Sequence, residues 1–248
     1  MRPAAEVVLA PALLAISHGT SSPTGQAAVS ALVSGVAAAR PDLAVHEGFV
    51  DVQQPDVPTV LGALPPARDA VIVPLLLSAG YHVHVDLAED AAGSDGAVVA
   101  AALGPDDRLV ALLARRLDEA GLRPDDVVVL AAAGSSDARA VADCAETARR
   151  LGERIRHHVT VGYISAALPR LADEVATTRA AHPHARIVVA SYLLAPGYFA
   201  ELAARAGGDV TSEPLLAAHG APPVELVELV IDRYLAAARA PHLTHPAM

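Results

Sequence analysis

The stretch "AVIVPLLLSAGYHVHVDLAED" (residues 70–90) is echoed by "RIVVASYLLAPGYFAELAARA" (186–206) when Gly80 is placed over Gly197, and the echo decides the fold. Each copy is an aliphatic run of strand length, then a glycine turn, then a segment of helical periodicity. The likeness extends in both directions. Upstream, "LLAISHGTSS" (13–22) lies over "VVLAAAGSSD" (128–137); downstream, "LGPDDRLVALLARRLDEAG" (103–121) resembles "AHGAPPVELVELVIDRYLAAA" (218–238), a turn followed by an amphipathic helix. An internal repeat of this length means two structural units of one design. The halves are expected at 11–121 and 124–240, with "EAGLRPDD" (119–126) as the linker whose Gly and Pro stop one helix before the next strand.

Within each half, short β-rich runs alternate with helical ones. Strands are expected at 13–17, 44–50, 70–77 and 97–102, with a helix over 25–39, and again at 127–132, 159–163, 187–193 and, more weakly, 209–212. Such alternation implies parallel sheets covered by helices on both faces. The fold class is therefore α/β, with two similar domains, each a four-stranded parallel sheet flanked by helices. Composition agrees. Hydrophobic residues make up 53% of the 248 positions but aromatics only 3%, so the core must be built from Ala, Val and Leu, which suits closely packed α/β layers.

The same numbers exclude several classes. A formal net charge of -10 argues against a nucleic-acid partner, which needs a basic face. Apolar stretches are too short to cross a bilayer and are broken by Pro and Gly, and no basic segment precedes an apolar leader, so the expectation is a cytoplasmic protein. The single cysteine, Cys144, rules out an internal disulfide or thiolate cluster, and it falls with Val141, Ala145, Ala148 and Leu151 at helical spacing, as a core residue does.

In an open parallel sheet, ligands bind beyond the carboxyl ends of the strands, where strand order reverses. For the order 2-1-3-4 that place lies between strands 1 and 3. His18 follows strand 1 directly and His82 follows strand 3 after a short turn, so two residues distant in sequence converge on one crevice. The repeat acts as an internal control. Gly19 matches Gly134, Gly80 matches Gly197 and Tyr81 matches Tyr198, but Ala133 stands opposite His18 and Phe199 opposite His82. Turn-shaping glycines persist in both halves while the imidazoles occur in one, as expected if the first half carries the chemistry and the second serves as wall. His84, whose counterpart is Glu201, reads as a rim residue. Asp51, in "EGFVDVQQPDVP" (47–58), ends strand 2 at the same edge and is either a partner for a histidine or cation or a solvated turn carboxylate. His219 opens the turn before the last helix and has no assigned role, and "PHLTHPAM" (241–248) reads as a frayed terminus.

With these residues in view, the chain resembles the sirohydrochlorin chelatases, class II enzymes that insert Fe²⁺ or Co²⁺ into a modified tetrapyrrole without ATP. The segments that carry the resemblance are "ISHGTSSPTGQAAVSALV" (16–33), "GFVDVQQPDVPTVL" (48–61), "VIVPLLLSAGYHVHVDL" (71–87) and "LGPDDRLVALL" (103–113). The resemblance implies that His18 and His82 are the family's paired catalytic and metal-handling histidines. It places Asp51 where the family usually has a glutamate, one methylene longer. It further implies substrate contacts from Ser17, Gly19, Thr20, Ser78, Gly80, Tyr81 and His84. No permanently bound cofactor is expected; the divalent ion is a substrate, iron being favoured as the ion of the more widely required product, sirohaem, over cobalt for cobalamin. The substrate's eight carboxylates call for backbone N–H groups of the "GTSS" turn and of the matching "GSS" turn at 134–136. Since both halves lie in one chain, a monomer is expected.

The chemistry suits the residue types. Neutral imidazoles bind Fe²⁺ or Co²⁺ without holding it as thiolates would, and they accept protons near neutral pH. A histidine phosphatase would need an arginine where Ser17 stands, and a serine hydrolase would need a G-x-S-x-G elbow, which is missing. The alternative of another class is a non-catalytic metal or tetrapyrrole carrier on the same fold, which turnover would separate from a chelatase.

Overall fold

A computed structural model describes residues 10–66, 68–78, 81–94 and 96–239, with 81–86 as helical backbone. The first half runs β1 (Ala12–Ser17), α1 (Pro23–Ala39), β2 (Val45–Phe49), α2 (Val57–Gly62), β3 (Ala70–Pro74), α3 (Tyr81–Ala92), β4 (Ala97–Val99) and α4 (Asp107–Glu119). The second repeats it as β5 (Val127–Ala132), α5 (Ala138–Ile155), β6 (Val159–Tyr163), α6 (Leu171–Ala181), β7 (Ile187–Tyr192), α7 (Tyr198–Ala204), β8 (Val210–Thr211) and α8 (Val224–Ala238). Both sheets are parallel, ordered β2-β1-β3-β4 and β6-β5-β7-β8. The strand order therefore reverses beside β1 and β5.

Every residue of β1, β3 and β7 is buried, because helices cover both faces of each sheet. Leu14, Ile16 and Ile72 pack outward with Val57, Val60 and Leu87 of α2 and α3. Leu13, Ala15, Val71 and Val73 face inward into a core that also contains Val128, Leu130, Val188 and Ala190 of the second sheet. One continuous core thus joins the two halves.

The joining is done by exchange of the last helix of each half. α8 packs on α1, β3 and β4 of the first half, whereas α4 packs on α5 and β7 of the second, and α4 and α8 touch each other. Polar contacts fix the exchange. Arg233 of α8 donates to the carbonyls of Ala102 and Leu103 at 2.7 Å, the Tyr234 hydroxyl donates to the Pro11 carbonyl at 2.8 Å, and Arg116 of α4 donates to the carbonyls of Pro214 and Leu215. Arg108 of α4 bridges Asp106 to Asp232 of α8.

β3 stops at Pro74, short of the expected 77. Its partner β1 gives way at Gly19, whose φ of +91° turns the chain off the sheet, so the ladder has no acceptor past Ile16, which takes the Leu75 N–H at 2.7 Å. The tail at 241–248 lies outside the described residues. Among the described residues, no helix is long and apolar enough to cross a membrane.

Candidate active site

The end of β1 builds the first half of the site. Ser17 is buried as the last strand residue, and His18 is the first exposed one. Gly19 follows with positive φ, and a Cβ there would overlap the Asp51 carbonyl oxygen, so the turns after β1 and β2 pack backbone against backbone. The Asp51 N–H donates to the His18 carbonyl at 3.1 Å. Gln53 Oε1 accepts the Thr20 N–H at 2.9 Å, while Gln26 Nε2 donates to the Thr20 carbonyl at 2.7 Å. The Asp51 side chain is exposed at this edge, with Oδ1 accepting the N–H of Val52 at 2.7 Å. His18 and Asp51 are thus brought to one place by the ladder β1–β2, whose last paired residues are Ser17 and Phe49.

The loop after β3 supplies the second side. Its carbonyls are taken one after another: Leu76 accepts the Leu103 N–H at 2.8 Å, and Leu77 accepts the Tyr192 hydroxyl at 2.9 Å. The Ser78 side chain lies beside the Cys144 thiol of α5. α3 then begins at Tyr81, which puts the backbone of Tyr81, His82 and His84 in its first turn. Gly80 and the side chains of Tyr81, His82 and His84 lie outside the described residues. Among the described residues, no three His, Cys, Asp or Glu side chains form a group that would hold a metal ion.

Two supports of this loop come from the second half and were not foreseen. Tyr192 ends β7 and is 2% exposed; burial pushes its phenol well above the ordinary range, so it stays a donor. In the sequence it reads only as a strand residue. Cys144 is buried as expected, and burial, reinforced by Asp143, pushes its thiol up to about 11, which leaves it inert as a nucleophile.

The internal control gains a third member. Val52 adopts a φ of +63°, uncommon for a β-branched residue, and Ala166 adopts +54° at the equivalent place. The preceding residues, Asp51 and Ser165, each accept a 2.6 Å hydrogen bond from the amide two residues on. A Cβ on Gly134 would overlap the Ser165 carbonyl as one on Gly19 would overlap that of Asp51. The same strained turn therefore exists in both halves, with Ala133 standing against His18 and Ser165 against Asp51. Overlaying "DVQQP" on "SAALP" would have shown the second exchange.

The two halves meet at these loops. A Cβ on Gly25, in the first turn of α1, would overlap the Pro196 carbonyl, and a Cβ on Gly197 would lie 3.3 Å from Thr20 Oγ1. The turn after β7 therefore sits against the His18 turn. His219 lines a cavity of about 210 Å³ with Ala27, Ala31 and Pro222.

Comparison with known proteins agrees with this geometry. The CbiX family model matches twice, over residues 12–120 and 127–232. The structure of SirB from Bacillus subtilis with Fe³⁺ superposes with a TM-score of 0.77 at 21% identity, covering 93% of this chain and 96% of that one. The sirohydrochlorin chelatase SirB from Bacillus subtilis subspecies spizizenii, in complex with cobalt, gives 0.71 at 19% identity, covering 94% and 97%. CbiX, described as the terminal enzyme for biosynthesis of siroheme in denitrifying bacteria, gives 0.61 at 20% identity, covering 89% and 98%. No curated protein matches the sequence. With one family pattern filling both halves, and the turn after β7 meeting the turn from which His18 emerges, the chain belongs to the CbiX family.

Proposed function

We propose that this protein inserts a divalent metal ion into sirohydrochlorin without ATP, with Fe²⁺ as the favoured ion and Co²⁺ as the other candidate. The observation that carries the reading is the repeated turn with exchanged groups: the backbone after β1 and β2 is the same as that after β5 and β6, yet Ala133 and Ser165 stand where the first half has the His18 imidazole and the Asp51 carboxylate. Membership of the CbiX family supports it.

Metallation replaces two pyrrole N–H protons by one M²⁺, so two protons must leave as the ion sheds water. His18, exposed at the end of β1, and His82, in the first turn of α3, are assigned to escort the ion and accept those protons. Asp51 is assigned to hold the ion or orient an imidazole; with one oxygen engaged at Val52, the second is the group offered. Nitrogen and oxygen donors release Fe²⁺ or Co²⁺ readily, as transfer requires. Gly19, through its backbone N–H, and Thr20, through its hydroxyl because Gln53 already takes its N–H, are assigned to meet substrate carboxylates in the turn that leads to the Ser22-capped α1. Ser17 and Ser78 are assigned a supporting part, since one is buried and the other lies beside the buried Cys144. Gly80, Tyr81 and His84 complete the expected rim. The working unit is taken as a monomer, because both walls of the site lie in one chain.

The test is an anaerobic visible-absorbance assay with sirohydrochlorin and Fe²⁺ or Co²⁺, compared with the uncatalysed rate. Multiple-turnover acceleration is expected, faster with Fe²⁺. Binding spectra without acceleration by either ion would make the protein a carrier.

A further inference from the structure

Aromatic residues are scarce in this chain, which has 5 Tyr and 2 Phe and no Trp. Phe49, Tyr163, Tyr192 and Tyr234 are all 5% exposed or less. Tyr198 and Phe199 are 65% and 36% exposed, the two exposed aromatic side chains among the described residues. They are adjacent, with ring centroids 6.3 Å apart and planes tilted by 50°. Leaving two large rings in water at one place, when the other aromatic side chains among the described residues are buried, marks a contact surface.

Their position says what the surface meets. The two rings follow Pro196 and Gly197, the residues that pack on Thr20, Ser22 and Gly25 of the His18 turn. In the repeat they stand where Tyr81 and His82 stand in the first half, so they begin α7 as Tyr81 and His82 begin α3. The catalytic side of the crevice and the aromatic side are thus equivalent edges of two equivalent sheets.

We propose that Tyr198 and Phe199 form the face against which a planar, polycarboxylate macrocycle stacks while the first half handles the ion; this rests on the chelatase reading for the identity of the macrocycle. The physical need is specific. A chain of net charge -10 repels a polyanion, and contact through the flat π face is indifferent to the charges at the ring's edge. Aromatic side chains offer that face at low conformational cost, and their tilt lets one ring present its face while the other offers an edge.

The test is a titration of metal-free sirohydrochlorin into the full chain, followed by visible absorbance, with KM and kcat then measured using Co²⁺. Three proteins are compared: wild type, the double variant Tyr198→Ser with Phe199→Ser, and the ring-keeping double variant Tyr198→Phe with Phe199→Tyr. The serine pair is expected to weaken macrocycle binding roughly tenfold, the size of losing an aromatic stacking contact, with the loss falling on KM rather than kcat. The ring-keeping pair should restore affinity to within about threefold of wild type. Equal binding by the serine pair and wild type overturns the proposal and leaves the chelatase reading standing. Ring-dependent binding without metal insertion supports the stacking face and defeats the chelatase reading. Failure of wild type to bind sirohydrochlorin overturns both.

Discussion

Replacing Gly19 and, separately, Gly134 by alanine probes the repeated turn directly. Both residues have positive φ, +91° and +92°, and in both a Cβ would overlap a backbone carbonyl, of Asp51 and of Ser165 respectively. Holding an alanine at such φ costs about 1–3 kcal/mol. Relieving the overlap by shifting packed backbone adds about 1–3 kcal/mol. Each variant should therefore lose about 2–6 kcal/mol, and for a chain of this size the melting temperature should fall on the order of 10 °C. Stability should drop alike in both because the turns are alike. Activity should not. In Gly19→Ala the turns carrying His18 and Asp51 are forced apart, whereas in Gly134→Ala the displaced turn carries Ala133 and Ser165. Thermal melting followed by circular dichroism, together with metal insertion measured well below both melting points, gives the comparison. A Gly134→Ala protein that melts like wild type, or one that loses more activity than Gly19→Ala, would refute the reasoning.

Tyr192→Phe deletes the donor to the Leu77 carbonyl; a loss of about 1 kcal/mol and 2–4 °C in melting temperature is expected, with slower metal insertion because residues 75–78 lead into α3. An unchanged insertion rate would reduce Tyr192 to a structural residue. The buried Asp126 carboxylate is hydrogen-bonded by Arg186, which holds it below the ordinary aspartate value of 3.8, so its contribution is full above that value and is lost as pH falls from there through the lower folded-state value. The melting-temperature gap between wild type and Asp126→Asn should accordingly narrow between about pH 5 and pH 2; a gap independent of pH would contradict the pairing.

Much of this architecture was legible because strand length and helical period are local properties. The bounds of β5 and β6 agree with the expected 127–132 and 159–163, and the 2-1-3-4 order holds in both sheets. The exchange of α4 and α8 was not legible. The buried face of α8, with Leu226, Leu229, Val230 and Tyr234, would fit either sheet, and amphipathicity names a face without naming its partner. At the site, His18 was readable from its place after β1, and the convergence of His18 with Asp51 follows from strand order. The role of Tyr192 was not, because a buried strand tyrosine looks the same in sequence whether its hydroxyl braces a neighbouring loop or its own sheet. The likeness of the Asp51 and Ser165 turns escaped for a related reason: their shared feature is positive φ at Val52 and Ala166, residue types that do not advertise it.

The central claim is that the imidazoles present in one half alone perform the metal transfer. It is tested most directly by comparing the initial rate of Fe²⁺ or Co²⁺ insertion into sirohydrochlorin for wild type with those for His18→Ala and His82→Ala. Each variant should melt like wild type yet insert metal at least about a hundredfold more slowly, the usual loss for a removed proton acceptor. A rate within a few fold of wild type in either variant would contradict the account.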